Sequence, residues 1–135
     1  MKSNSSFCKR LYNMSEQNKH INYQTIEGLK MLQEDGEPDF LLDLIDTLLN
    51  TTPQKLVNID KFLAGNDLMA ASKESHSIKS SVRALGAEIL GNKCQSLEDL
   101  KTTTNFEEAK KIFEEIKLEY TNVANELTQI KGTMK

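Results

Sequence analysis

The chain has 135 residues, 38% of them hydrophobic and 27% charged, with a formal net charge of −3. That length suits one domain with a sizeable core. The mild acidity argues against a nucleic-acid partner, since only a short N-terminal stretch is basic. No apolar run approaches the ~20 residues of a membrane helix, and the first twenty residues lack the apolar stretch of a secretory signal. Cys8 and Cys94 stand apart, and His20 and His76 are the only imidazoles. That set indicates neither a zinc site nor a disulfide framework, so a cytoplasmic protein without a metal or cofactor of its own is expected.

Residues 1–20 are rich in Ser, Asn and Lys and lack periodicity, which predicts a flexible polar leader before a domain over 21–135. Met14 offers an alternative start. A short first helix is expected around Ile26, Leu29 and Leu32, with Gly36 as its stop and Pro38 in the first turn of the next. The second helix carries Leu41, Leu44, Ile45, Leu48, Thr52, Leu56, Ile59 and Phe62 at steps of three and four. The stripe keeps its phase across Pro53, so a kink is expected there and not a break.

Gly65-Asn66 predicts a turn, and Asp67 a cap for a third helix that contains His76 and ends near Gly86. On a fourth helix Ala87, Leu90, Cys94, Leu97 and Lys101 fall in phase. Gly91 there costs ~1 kcal/mol relative to alanine, a cost expected to accompany close approach of a neighbouring helix. Thr102-Thr103-Thr104 reads as a linker, and Asn105 with Glu108 as the capping start of a last helix. Phe106, Ala109, Ile112, Phe113, Ile116, Tyr120, Val123, Leu127 and Ile130 give that helix the clearest periodicity in the chain. No segment alternates with period two, so the class is all-α. The expected architecture is an up-down antiparallel four-helix bundle with a short additional N-terminal helix across one end.

His76 stands out by its surroundings. On a helix it shares a face with Lys73, Lys79, Ser80 and Arg83, whereas Leu68, Ala71, Ser75, Ile78, Val82 and Leu85 form the opposite, core-facing strip. The ring is therefore expected in solvent, among cations and small residues. An ordinary imidazole is mostly neutral near pH 7 and then nucleophilic. A phosphorylated imidazole requires nearby positive charge, which Lys79, one turn on, can supply. Asp43, Asp46, Glu98 and Asp99 read as solvated helix surfaces, Cys94 as core filler and His20 as inert.

The run His76-Ser77-Ile78-Lys79-Ser80, closed by Leu85-Gly86-Ala87, resembles the phosphorylated helix of histidine-containing phosphotransfer (HPt) domains of two-component phosphorelays. The resemblance extends from about Ile26 to Ile130. It implies a helical bundle that relays a phosphoryl group between receiver aspartates, with His76 as phosphoacceptor and Lys79 on the phosphate. Lys73, Ser80 and Arg83 are assigned to docking. Ser80 departs from the family's usual glycine, and its hydroxymethyl group adds bulk beside the ring. The implied partners are receiver domains of response regulators or hybrid histidine kinases, which carry the magnesium. Neither nucleic acid nor membrane is expected as a partner, and a monomer is. A non-phosphorylated adaptor that binds or sequesters a receiver remains open, as does a separated phosphoacceptor domain of a chemotaxis-type kinase.

Overall fold

The computed structural model describes residues 20–32 and 40–133. The leader apart from His20, and the expected stop at Gly36 with Pro38, lie outside the described residues. Within them are five helices and no strand: α1 Tyr23–Met31, α2 Phe40–Ala64, α3 Leu68–Ala84, α4 Glu88–Glu98 and α5 Phe106–Thr133. The last four form the bundle: each packs on the next, and α5 returns against α2 to close it. Connections as short as 65–67 and 85–87 force consecutive helices antiparallel.

Local chemistry explains where each helix starts and stops. Asn22 caps α1 by accepting from the Gln24 N–H at 3.0 Å, and Asp67 caps α3 by accepting from Ala70 at 3.1 Å. α2 ends with Asn66 in the left-handed conformation, its N–H donating to Leu63 and that of Asp67 to Phe62. Asn66, and not Gly65, thus takes the strained position. α3 ends the same way: Gly86 at φ 84° donates to the Arg83 carbonyl at 3.0 Å, and Ala87 to the Val82 carbonyl at 2.9 Å. At α5 only half of the expected capping box forms. The Asn105 side chain accepts from Glu108 N–H, but the Asn105 N–H donates to Thr103 Oγ1. α2 continues unbroken through Pro53. α4 ends at Glu98, which leaves Lys101 exposed in the following turn and not in helical phase with Leu97.

The predicted stripes meet in one core. On α3, Leu68, Ala71, Ser75, Ile78 and Val82 are all buried, as is Leu85 just after it, in the core that also holds Ile45 and Ile59 of α2, Leu90 and Cys94 of α4, and Ile116, Val123 and Leu127 of α5. The Ser75 hydroxyl is satisfied by the Cys94 carbonyl at 2.8 Å. Burial pushes the Cys94 thiol up to about 11, which suits a core filler. Gly91 is covered by a side chain, not by a helix backbone. A Cβ there would lie 2.7 Å from Cγ of Arg83, whose guanidinium reaches Asn92 at 3.1 Å.

The N-terminal segment closes one end. Asn22 N–H donates to the Gly86 carbonyl at 2.8 Å, while Ile21, Tyr23 and Ile26 are buried. A Cβ on Gly86 would come within 2.8 Å of the Asn22 carbonyl oxygen. Two buried carboxylates of α5 face this segment: Glu126 accepts from the Tyr23 hydroxyl at 3.0 Å, and Glu119 pairs with His20 at 2.7 Å. His20 is therefore engaged in closing the bundle, contrary to the sequence expectation of an inert residue.

Gly86→Ala should lose stability by about 2 kcal/mol, through left-handed strain and the collision with Asn22; urea midpoints check this. Burial, reinforced by the like charge of Glu119 and opposed by Tyr23 and His20, raises the Glu126 carboxyl above its ordinary 4.5. A raised folded value makes this group favour folding below 4.5 and lose that contribution as pH climbs through the folded value. Glu126→Gln should flatten this alkaline-going decline, read as stability against pH.

Candidate functional site

The α3–α4 hairpin brings together side chains far apart in sequence. His76 lies ten residues before Gly86 and Glu98 twelve after it, so the antiparallel pair sets them side by side. Glu98 Oε1 is 2.8 Å from His76 Nδ1, and its other oxygen, Oε2, is 2.7 Å from Lys79 Nζ. Lys79 also donates to Gln95 Oε1 at 2.7 Å, and Gln95 Nε2 to Asp99 Oδ1 at 2.7 Å. Beneath this chain the Ser72 hydroxyl donates to the Glu98 carbonyl at 3.3 Å, tying the two helices together.

Burial of the Glu98 carboxyl opposes its ionisation, but hydrogen bonds and charge from Lys79 and His76 outweigh that and hold it below its ordinary value. Glu98 is thus a carboxylate near neutral pH, and a carboxylate can only accept. Nδ1 of His76 must carry the proton in this contact. In the neutral ring the lone pair then belongs to Nε2. The His76 side chain is 59% exposed, so that nitrogen belongs to a ring open to solvent.

His20 makes the same kind of pair with Glu119, yet it is only 19% exposed and has no lysine in the contact. Exposure and the neighbouring ammonium distinguish the two histidines.

The sequence-predicted residues divide. His76, Lys73, Ser80 and Arg83 are exposed on one face of α3, as expected. Lys79 is not a free surface charge: its side chain is 12% exposed and its amine is fixed by Glu98 and Gln95. The Ser80 hydroxyl turns back to the His76 carbonyl at 3.2 Å, and Arg83 is laid across α4. Glu98, read from sequence as a solvated surface residue, is the hinge of the site, and Gln95 was missed. Pairing residues at similar distances from Gly86 on the two helices would have pointed to both. The other acids behave variously: Asp46 pairs with Lys131 at 2.6 Å, and Asp43 lies exposed at the start of α2.

The sequence matches the model of the Hpt domain over residues 43–130, and the chain belongs to that family. Its function is accordingly histidine phosphotransfer in phosphorelays, as a phosphocarrier rather than a kinase. No curated protein matches the sequence. Among solved structures, histidine-containing phosphotransfer protein B from Pseudomonas aeruginosa PAO1 superposes with a TM-score of 0.76 at 22% identity, covering 86% of this chain and 97% of that one. The histidine-containing phosphotransfer protein MtHPt2 from Medicago truncatula gives 0.76 at 19% identity, with 93% and 90% covered. These likenesses establish the helical-bundle fold. Among the described residues no helix is long and apolar enough to cross a membrane.

If Glu98 sets the tautomer, 15N spectra of the wild type above the imidazole titration should show His76 protonated at Nδ1. In Glu98→Ala the signal should move toward the Nε2–H form that an unconstrained histidine side chain favours. Identical tautomer signatures in the two proteins would contradict this assignment.

Proposed function

We propose that His76 is the phosphoacceptor and that it exchanges a phosphoryl group with aspartates of receiver domains through Nε2. The observation that carries this reading is the solvent-open imidazole whose other nitrogen is engaged by Glu98 at 2.8 Å. The Nε2 lone pair attacks the phosphorus of an aspartyl phosphate, and the P–O bond to the acyl oxygen breaks. The bonding pair leaves with the aspartate as carboxylate. No proton moves, because Nδ1 keeps its hydrogen throughout. The ring carries one positive charge while it is phosphorylated, and Glu98 stabilises that charge across the Nδ1–H bond. The reverse step breaks N–P as a carboxylate attacks, and returns the lone pair to Nε2. Phosphoryl transfer of this kind rests on positioning and electrostatics.

Lys79 has two tasks here. It holds the Glu98 carboxylate in place, and it offsets a negative charge that would otherwise repel the incoming phosphate. Two of its three donors go to Glu98 and Gln95, which leaves one for a phosphate oxygen. The small residue at 80 keeps the approach open, and its hydroxyl is occupied by the helix backbone. Magnesium belongs to the receiver in this scheme. The partners are receivers of response regulators or hybrid kinases, and the protein acts as a cytoplasmic monomer. A protein that only bound receivers would need no oriented, unblocked nitrogen, which favours the carrier over the adaptor.

Incubation with a 32P-labelled receiver should label the wild type and leave His76→Gln unlabelled. Lys79→Ala should slow the transfer between about ten- and a hundredfold through misplacement of Glu98 and the ring. Rapid-quench rates at equal helicity measure this, and unchanged rates would remove Lys79 from the site.

A further inference from the structure

Beside His76 the surface sinks into a depression of about 330 Å³ between the N-terminal half of α3 and the end of α4. Met69, Ser72, Lys73, His76, Glu98 and Lys101 line it. Met69 stands two turns before His76 and is 50% exposed, so it brings an apolar side chain to the surface of the depression. Lys73 and Lys101 are exposed, and neither ammonium group has a hydrogen-bond or ion-pair partner among the described residues. The acid in the depression, Glu98, is already engaged by Lys79 and His76. The neighbouring Asp99 accepts from Gln95. A chain of net charge −3 thus presents an apolar spot with two uncommitted ammonium groups next to its reactive ring. On the other side of His76 the candidate docking residues are committed, Ser80 to its own helix and Arg83 to Gly91 and Asn92 of α4.

We infer that the receiver is gripped from this one side, by a docking edge that sets an apolar side chain on Met69 and carboxylates against Lys73 and Lys101. The inference rests on the carrier reading of His76 and specifies the partner's chemistry. Lysines at the rim act mainly on encounter and discrimination, because exposed charges steer association and reject like-charged partners. Met69 supplies the apolar contact in the middle. Lys101 is thereby a specificity residue.

The test uses the full chain and two phosphodonors. One is the set of purified receiver domains of the source organism, loaded from 32P-acetyl phosphate; the other is phosphoramidate, a donor too small to need a docking edge. In the charge reversal Lys73→Glu with Lys101→Glu, transfer from the best receiver should fall at least tenfold and lose its dependence on salt. Labelling by phosphoramidate should stay at the wild-type rate. Met69→Gln should show the same split. Wild-type receiver transfer in the charge-reversed protein would overturn the docking side. Equal losses with both donors would also overturn it, by placing the lysines in the reaction centre. If receivers label neither wild type nor variant, the carrier reading itself fails, and the inference goes with it.

Discussion

The site hangs on one carboxylate shared by two helices. Glu98 of α4 accepts a hydrogen bond from His76 Nδ1–H with one oxygen and from the Lys79 amine with the other. The two contacts share one carboxylate but have different tasks. Without the ammonium, the carboxyl would lose the strongest influence that favours its ionised form, and its second oxygen would lose its anchor. Without the imidazole, the same carboxylate would be satisfied but would orient nothing. Charge-assisted bonds of this kind are stronger and more directional than neutral ones, which suits them to fixing a tautomer on an otherwise exposed ring.

That arrangement depends in turn on the register of the α3–α4 hairpin. The left-handed turn at Gly86 sets where α3 stops and where α4 begins, and the Asn22 contact clasps the same turn from outside. Ser72 and Ser75 pin α3 to α4 through the carbonyls of Glu98 and Cys94. A slip of one residue would rotate each helix by about 100° per residue, given 3.6 residues per turn, and carry Glu98 away from the ring. The buried strip of α3 resists such a slip, since its six core positions would turn to water. Packing below the site therefore holds the geometry above it.

The molecule also shows why a histidine–carboxylate pair is not by itself a reactive centre. His20 with Glu119 has nearly the same separation as His76 with Glu98. The first is folded under the N-terminal segment, beside a second buried acid, and closes an end of the bundle. The second stands on the open face of a helix whose neighbours are small or cationic. The chemistry of the pair is common to both; access and the local field are not.

What the sequence alone determined follows from periodicity and from short-range chemistry. Helix stripes, the caps at Asp67 and Asn105, the stop at Gly86 and the exposed strip around His76 are set by residues within a few positions of each other, and all are legible. The turn that carries Lys79 is legible too, but its partners Gln95 and Glu98 are not, because they stand 16 and 19 residues away. Glu98 looked like an ordinary helix surface, and His20 like part of a leader, for the same reason: a carboxylate's role depends on what the neighbouring helix sets against it. Only the tertiary structure decided those pairings. Inter-helix register arises from the summed packing of the whole core, and no local pattern in the chain encodes it.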